Sequence, residues 1–223
     1  MSRWWRWSRP FVVAVLIVVV CGAAAIPAIR TPLLRAAGRA LVVDEPVEPV
    51  EPVAPVDVIV LPKWAGIAGA IDASDLVRDR IASLVAVLPE PPKPADRELA
   101  RRGVPHTDEN VEVVRLLHAL GVANVELIPD PAAGTEDEAK VLLAWCNRRQ
   151  FRSILVMSGP DHSRRVRRVL RRSLQGTATK ITIRSARYSA FDPNRWWLTR
   201  DGTRTEIVEL QKLVLDVLRH PLS

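Results

Sequence analysis

The sequence predicts an α/β protein, with a Rossmann-like, mostly parallel sheet and helices on both faces, preceded by one N-terminal transmembrane helix. β-Branched runs alternate with helical stretches from residue 56 onward, which is the pattern of consecutive strand–helix–strand units. These runs are apolar at successive positions, as strands buried on both faces are. Residues 11–29 form an apolar run long enough to cross a bilayer.

The apolar run 11–29 is predicted to be an uncleaved membrane anchor, because at about 1.5 Å per residue it spans a hydrocarbon core of about 30 Å. The preceding residues, 1–10, form a basic tail that contains three arginines and three tryptophans. Moving this tail across a membrane is unfavourable, so we expect it in the cytoplasm and the domain outside the inner or plasma membrane. The alternative is a cleaved signal peptide, for which Ala23–Ala25 offers small residues.

Residues 30–55 are predicted to be a membrane-proximal segment and a proline-rich linker. Glu45–Val53 repeats Glu-Pro-Val three times, and proline at every third position favours an extended polyproline II conformation. At about 3.1 Å per residue, such a spacer holds the domain on the order of 35 Å from its anchor. The α/β domain itself is predicted over residues 56–220.

The first half of the domain is predicted to contain three strands and three helices. The strands are rich in β-branched and aliphatic residues: Val56–Leu61, Ile81–Leu88 and Val125–Ile128. The helices between them are Ala70–Arg80, Ala95–Arg102 and Thr107–Leu120. The third helix is amphipathic and precedes Gly121, a typical stop signal.

The second half of the domain is predicted to continue the alternation. Its elements are the strands Ser153–Met157 and Ile181–Arg184 and the helices Thr135–Arg149, Asp161–Leu174 and Thr203–Arg219. Each of the three helices begins at a residue that caps helix N-termini. Thr135 with Glu138, and Thr203 with Glu206, also have the spacing of a capping box.

The net charge of +7 limits the classes of partner. Much of the excess is arginine between Arg148 and Arg172, which favours phosphates or anionic lipid headgroups. Nucleic acid is not predicted, because no nucleic-acid motif accompanies the charge. No metal or cofactor is predicted either, since paired Cys/His spacing, GxGxxG and a phosphate-loop lysine motif are all missing from the sequence.

The turn Ser158–Arg165 is the most informative feature of the sequence. It follows a buried strand, so it lies at the carboxyl edge of the sheet, and the next helix points its N-terminal amides at the same place. Ser158, His162 and Arg165 supply a hydroxyl, an imidazole and a guanidinium there. Serine catalysis is a weaker interpretation, because the glycines of a nucleophile elbow are missing. Four later arginines of the helix are expected to be solvated: Arg167, Arg168, Arg171 and Arg172.

Several segments in order resemble the YdcF-like family, which includes the SanA and ElyC envelope proteins. They are Leu41–Asp44, Asp57–Leu61, Gly134–Glu138, Ile154–Arg165, Trp196–Trp197 and Glu209–Lys212. The resemblance implies a Rossmann-like domain with a polar cleft that gathers Thr135, Glu138, Ser158, His162, Arg165 and Glu209. Anchored family members are associated with envelope integrity, peptidoglycan supply and polyprenyl-phosphate carrier lipid, and one cytoplasmic relative is reported to bind S-adenosylmethionine.

The chain departs from the family pattern after its first two strands. Where relatives carry glycine-rich turns, it has Leu61–Gly66, which includes Pro62 and Trp64, and the proline-rich stretch Leu88–Pro92. Small residues let a backbone approach a ligand closely, whereas proline and tryptophan do not. These turns therefore predict a pocket that is narrowed or altered.

We therefore expect a membrane-anchored extracytoplasmic protein with a role in envelope biogenesis or integrity, which binds a phosphate-containing ligand. The expected ligand-binding residues are Thr135, Ser158, His162, Arg165 and Lys212, and the expected catalytic residues, if turnover occurs, are His162, Glu138 and Glu209. Polyprenyl phosphate, a sugar conjugate or a lipid headgroup would provide the phosphate. The alternatives are a non-enzymatic scaffold that meets envelope-assembly proteins through a degenerate cleft, and a binder of nucleotides or S-adenosylmethionine.

Overall fold

Five parallel strands form one sheet in the order β3-β2-β1-β4-β5 in a computed structural model that describes residues 26–47, 56–104 and 108–221. The strands are β1 (Val58–Pro62), β2 (Val85–Leu88), β3 (Val125–Leu127), β4 (Ser153–Ser158) and β5 (Lys180–Ser185). Every neighbouring pair is parallel. The Rossmann-like α/β prediction is therefore confirmed, and each predicted strand is present.

Seven α-helices lie in the described part of the chain. They are α1 (Pro27–Leu41), α2 (Gly66–Arg78), α3 (Pro94–Arg101), α4 (Glu109–Ala119), α5 (Thr135–Arg149), α6 (Ser163–Ser173) and α7 (Arg200–Arg219). Short 3-10 turns occupy Lys63–Ala65 and Trp196–Leu198. The capping box predicted at Thr203 is wrong: α7 begins earlier, at Thr199, whose hydroxyl oxygen accepts a hydrogen bond from the amide of Gly202 at 3.0 Å.

Helices cover both faces of the sheet because alternate strand residues point to opposite sides. On one face, Ile59 and Leu155 pack with Ala73 of α2 and Leu117 of α4. On the other face, the core consists of strand residues and the buried stripes of α5 and α6: Val58, Val60, Ile154, Val156, Leu142, Trp145, Val166 and Val169. Apolar side chains dominate both layers, as the sequence pattern predicted for a parallel sheet.

Residues 26–47 contribute a helix and a sheet-edge contact that were not predicted. Helix α1 packs on the middle of α7 and on Trp196, with Leu41 buried against Leu213, and the indole of Trp196 donates a hydrogen bond to the carbonyl of Leu34 at 2.8 Å. The chain then follows the free edge of β5, where the amide of Glu45 donates to the carbonyl of Ile183 at 2.8 Å. This contact covers an edge that would otherwise expose unpaired backbone groups.

The predicted membrane anchor lies almost entirely outside the described residues. Of its residues, Ile26 is the N-cap of α1 and Pro27–Ile29 lie in the first turn, whereas residues 11–25 of the anchor and the tail 1–10 precede the described chain. Within the ranges that the structure describes, no helix combines the length and apolar character needed to cross a bilayer. Linker residues 48–55 are likewise outside the described ranges.

The later arginines of α6 form ion pairs and are not simply solvated as predicted, although Arg171 stays 54% exposed. Arg168 is 17% exposed and forms an ion pair with Asp216 of α7 at 2.6 Å. The other three pairs are Arg167–Glu45 at 2.6 Å, Arg171–Glu45 at 3.0 Å and Arg172–Asp216 at 3.2 Å. These carboxylates come from neighbouring elements that pack against α6, so the basic helix is tied to its surroundings and its charge is offset locally.

Candidate functional site

The candidate site lies at the carboxyl ends of β1 and β4, in the centre of the sheet. The chain adds β2 and β3 on one side of β1 and then crosses back to add β4 and β5 on the other. Such a reversal separates the loops that follow the two central strands, and ligands of open α/β sheets bind in the crevice between them. Here those loops are Lys63–Ala65 and Gly159–His162, and the N-terminus of α5 lies beside them.

Trp64 connects two of the predicted site residues. Its indole nitrogen donates a hydrogen bond to Glu138 Oε1 at 2.8 Å, and its ring meets the ring of His162 edge to face at 4.3 Å between centroids. Sequence reasoning identified Trp64 as a departure from a glycine-rich turn but assigned it no partner. The structure shows that this side chain fills the space that a small residue would leave open.

Glu138 lies in the first turn of α5 and is 6% exposed. Burial raises the pKa of its carboxyl, and the hydrogen bond from Trp64 partly opposes that effect. The capping box predicted for Thr135 and Glu138 is wrong, because Gly134 occupies the N-cap position with a φ of 83° and Glu138 is turned toward Trp64. A buried carboxyl whose pKa is raised is a common feature of groups that act as general acids or bases, so Glu138 is a candidate for such a role.

His162 pairs with its neighbour Asp161, with 3.4 Å between His162 Nδ1 and Asp161 Oδ2. Burial raises the pKa of Asp161, but the hydrogen bond and positive charge of His162 outweigh it and lower the pKa overall. Asp161 does not cap α6 as predicted: the N-cap residue is His162, and its side chain makes no capping bond. The carboxylate instead orients the imidazole.

Arg165, Thr135 and Glu209 come together as predicted, and the charges of Arg165 and Glu209 offset each other. Arg165 donates through Nη1 to Thr135 Oγ1 at 2.8 Å and through Nη2 to Glu209 Oε2 at 3.1 Å. Lys212 donates to the other carboxylate oxygen of Glu209 at 2.6 Å. The carboxylate of Glu209 therefore bridges two cations, and both its side chain and that of Arg165 are largely buried, at 10% and 17% exposure.

Ser158 lies apart from this polar group. It is the last residue of β4 and is fully buried, and its hydroxyl donates to the carbonyl of Gly159 at 2.9 Å. Its proton is therefore committed to the local turn. This geometry offers no support for Ser158 as a nucleophile or as a donor to a ligand.

A cavity of about 380 Å³ opens beside the site, between the β4–α6 loop and the first half of α7. Its wall includes Asp161, Asp201, Arg204, Thr205, Val208 and Glu209. Among the described residues, Arg204 has no ion-pair partner. Its side chain is exposed and forms part of the cavity wall. Sequence reasoning missed Arg204 because it interpreted Thr203–Glu206 as a cap. The helical spacing of 201, 204, 205 and 208, which places them on one face, was the available signal.

Three possible metal ligands also approach one another, away from this site. Atoms of Glu136, Asp216 and His220 lie within 4.8 Å of one another. However, the guanidinium of Arg172 contacts Glu136 at 2.6 Å and Asp216 at 3.2 Å. A cation already sits where a metal would bind, so the group is an ion-pair cluster between α5, α6 and α7.

Comparison with known proteins identifies no relatives: no protein-family model matches the chain, and no curated protein matches it. The resemblance to the YdcF-like family therefore stays a prediction.

Proposed function

We propose that the protein is a membrane-anchored, extracytoplasmic protein of the cell envelope whose domain binds a phosphate-bearing ligand, such as polyprenyl phosphate or a sugar conjugate of it. The observation that carries the proposal is the convergence of Thr135, Glu138, His162, Arg165 and Glu209 at the central crevice of the sheet. The apolar run 11–29, the net charge of +7 and the YdcF-like motifs support the location and the class of ligand.

The phosphate is proposed to enter the 380 Å³ cavity and bind first to Arg204, whose guanidinium is unpaired within the described chain. Guanidinium groups bind phosphate through two parallel N–H donors. Arg165 is hydrogen-bonded to Glu209. It can donate to the phosphate as well once the phosphate replaces that carboxylate as its acceptor. Lys212 holds the other oxygen of Glu209 at 2.6 Å, so Glu209 keeps a cationic partner when Arg165 turns to the phosphate.

If a reaction follows binding, Glu138 and His162 are the groups placed to move a proton. Burial raises the pKa of the Glu138 carboxyl, which is the direction that favours a proton donor. His162 is oriented by Asp161 and presents its other ring nitrogen away from that contact. Glu209 is less suited to this role, since its two oxygens are already bonded to Arg165 and Lys212.

Titration of farnesyl phosphate into the full-length chain in detergent, followed by calorimetry, tests the proposal. Replacing Arg204 by alanine should weaken binding at least about tenfold, because a hydrogen bond to a charged group is lost. Arg200→Ala is the matched control, since Arg200 is an exposed arginine of the same helix that does not line the cavity. Absence of binding to the wild type, or equal losses in both variants, would overturn the proposal.

The envelope location has a separate test. Reporter enzymes that are active on one side of the membrane, fused after Ser223, should show activity outside the cytoplasm. Activity confined to the cytoplasm would refute the orientation, whatever the ligand experiment shows.

A second candidate function is a non-enzymatic envelope scaffold with a closed cleft. Two observations favour it: Trp64 occupies the crevice against His162 and Glu138, and Glu209 neutralises Arg165. Binding of farnesyl phosphate to the wild type separates the two functions. A scaffold with a closed cleft predicts no binding to the wild type, whereas the binding function predicts affinity. If Trp64 alone closes the cleft, the variant Trp64→Gly should bind farnesyl phosphate where the wild type does not.

A further inference from the structure

Helix α7 carries carboxylates on its buried side and aliphatic side chains on its exposed side. Its buried acidic residues are Glu206, Glu209 and Asp216, and arginines of α6 pair with the last two. Five aliphatic residues of the helix are between 38% and 73% exposed: Ile207, Val208, Val214, Leu215 and Leu218. A surface helix normally has the opposite arrangement, with its apolar stripe toward the core and its charges toward water. Packing within the domain therefore does not account for these aliphatic residues.

The five side chains form one continuous surface, which we call the outer face of α7. At about 100° per residue, they lie within about 120° of the helix circumference. Val208 belongs to the outer face and also, together with Arg204, to the wall of the cavity of about 380 Å³. An exposed apolar surface with polar groups around it is typical of a site that meets a membrane or another protein. The proposed ligand cavity therefore opens next to a surface of this kind.

Helix α1 extends this surface toward the proposed membrane anchor. It packs against Leu210 and Leu213 of α7, and packed helices have axes about 10 Å apart. The N-terminal end of α1 exposes three aliphatic residues on one side of the helix: Ile26, Ile29 and Leu33. The apolar run 11–29 ends inside this helix. A bilayer that holds the anchor is therefore within reach of α7.

The charges around the outer face favour an anionic bilayer over a second copy of the chain. The exposed basic residues of α7 are Arg200, Arg204, Lys212 and Arg219, and its one exposed acidic residue is Asp201. Helix α1 adds three exposed arginines and no acidic residue. A symmetric contact between two copies would bring like charges together, which is unfavourable. Lipid phosphates carry the opposite charge, and a helix with an apolar face and basic residues is typical of the membrane interface.

We propose that the outer face of α7 and the start of α1 lie on the surface of the bilayer, with their aliphatic side chains at the boundary between headgroups and acyl chains. This inference rests on the proposed function for the anchor, and it adds the orientation of the domain. In that orientation Arg204 lies at the level of the headgroups, and the cavity opens toward the lipid. A phosphate whose hydrocarbon tail stays in the bilayer then reaches Arg204 without leaving the membrane.

A fluorescent label on the outer face tests this orientation in the full-length chain, reconstituted in vesicles of phosphatidylcholine and phosphatidylglycerol. The variant Leu215→Cys carries the polarity-sensitive dye NBD. Cys21→Ser removes one of the two native thiols. The other, Cys146, does not compete for the dye, because it is fully buried and burial raises the pKa of its thiol to about 12. The emission of the dye should shift to shorter wavelength, and phosphatidylcholine with a nitroxide on its acyl chain should quench it.

Val111→Cys is the matched control for the position of the label. Val111 is an aliphatic residue of α4 that is 41% exposed, and α4 lies on the opposite face of the sheet from α6, against which α7 packs. A label there should keep the emission of an aqueous environment and should not be quenched by the nitroxide lipid.

A second variant tests whether the aliphatic side chains hold the face on the lipid. In the Leu215→Cys background, Ile207→Glu combined with Leu218→Glu should reduce the quenching, because phosphatidylglycerol repels the added carboxylates and burial in the acyl layer disfavours them. Both residues are exposed, so these replacements leave the core of the domain intact.

Three results would overturn the inference. The first is quenching of the label at residue 215 that is no stronger than at residue 111. The second is a shift to shorter wavelength without quenching by the nitroxide lipid, which places the outer face against a second copy of the chain. The third is quenching that survives both glutamate replacements, which shows that the dye and not the aliphatic face enters the lipid.

The outcomes also separate this inference from the proposed function. If farnesyl phosphate does not bind in calorimetry but the label at residue 215 is quenched, the ligand proposal fails and the orientation stands. If the full-length chain does not float with the vesicles in a density gradient, the anchor is refuted, and the orientation is refuted with it.

Discussion

Glu206 of α7 offers a direct test of the electrostatics of the domain. The residue is fully buried, and neither carboxylate oxygen has a hydrogen-bond partner. Burial raises the pKa of this carboxyl from 4.5 to about 7. Replacing Glu206 by glutamine retains the shape of the side chain and removes the ionisation, so the variant reports what the buried charge costs.

The effect of Glu206 ionisation on the free energy of unfolding follows from the pKa of the carboxyl. An acid whose pKa is raised in the folded state does not destabilise the protein below its unfolded pKa. The destabilisation grows as the pH rises from the unfolded pKa to the folded pKa, and it is constant above the folded pKa. Since one pKa unit corresponds to about 1.4 kcal/mol, the free energy of unfolding should fall by about 2 kcal/mol between pH 5 and pH 7 and by on the order of 3 kcal/mol in total above pH 8.

The measurement is urea unfolding of the full-length chain in detergent at pH 5, 6, 7 and 8, followed by tryptophan fluorescence. At pH 5 the wild type and Glu206→Gln should differ little, because the wild-type carboxyl is then protonated. At pH 8 the variant should be the more stable protein by about 2 to 3 kcal/mol. Glu112→Gln is the control, since Glu112 is exposed on α4 and its replacement should leave the pH dependence unchanged.

Two results would refute the reasoning. A stability difference between wild type and Glu206→Gln that is the same at every pH would show that Glu206 does not titrate in this range. A variant that is less stable than the wild type at pH 8 would show that the ionised carboxylate has favourable partners in the folded protein.

Three further predictions concern packing and the site. Arg168→Ala should lower the free energy of unfolding by about 2 kcal/mol, because the buried carboxylate of Asp216 in α7 loses its shorter ion pair and keeps the longer pair with Arg172 at 3.2 Å; a loss no larger than that of an exposed arginine would contradict this. Gly38→Ala should destabilise the domain by about 1 to 3 kcal/mol, since the added methyl group would lie 2.2 Å from the carbonyl oxygen of Pro193; an unchanged melting temperature would show that α1 does not pack there. Trp64→Phe should raise the pKa of Glu138 further, because a hydrogen bond that stabilises the carboxylate is lost; a carbon-13 NMR titration that shows a lower pKa would contradict the contact.

The matched control for the ion-pair prediction is Arg171→Ala. Arg171 lies on the same helix and is 54% exposed in its pair with Glu45. Removing an exposed pair should cost less than about 1 kcal/mol. The comparison therefore measures how burial changes the contribution of an ion pair to the free energy of unfolding, for two arginines one turn apart.

Local patterns in the sequence were sufficient to predict the elements of the domain. Helix α5 runs over Thr135–Arg149 as predicted, and β4 over Ser153–Ser158 extends the predicted strand by one residue. Periodicity and composition depend on residues a few positions apart, so they are visible in one sequence. Helix α1 was missed because residues 27–29 were assigned to the predicted anchor and residues 30–41 to the membrane-proximal segment. Pro27 is well tolerated in the first helical turn, and Pro32 lies inside the helix.

The candidate site was predicted in part. The contact of Arg165 with Thr135 and Glu209 agrees with the expected cleft, and Lys212 joins it through Glu209. The partners of Trp64 and the unpaired Arg204 were not predicted, and the capping roles of Thr135, Asp161 and Thr203 were wrong. A side chain near a helix start has both local and distant partners available, and the sequence shows the local ones alone.

The sequence by itself determined the class of the fold, the alternation of strands and helices, and the placement of the turn Ser158–Arg165 at a strand end. Those properties follow from local hydrophobic pattern and backbone chemistry. The tertiary structure alone decided the strand order, the burial of Glu206, the ion pairs of α6 and the position of Trp64 over His162. Each of these depends on which distant segments meet, and burial then sets how strongly their charges interact.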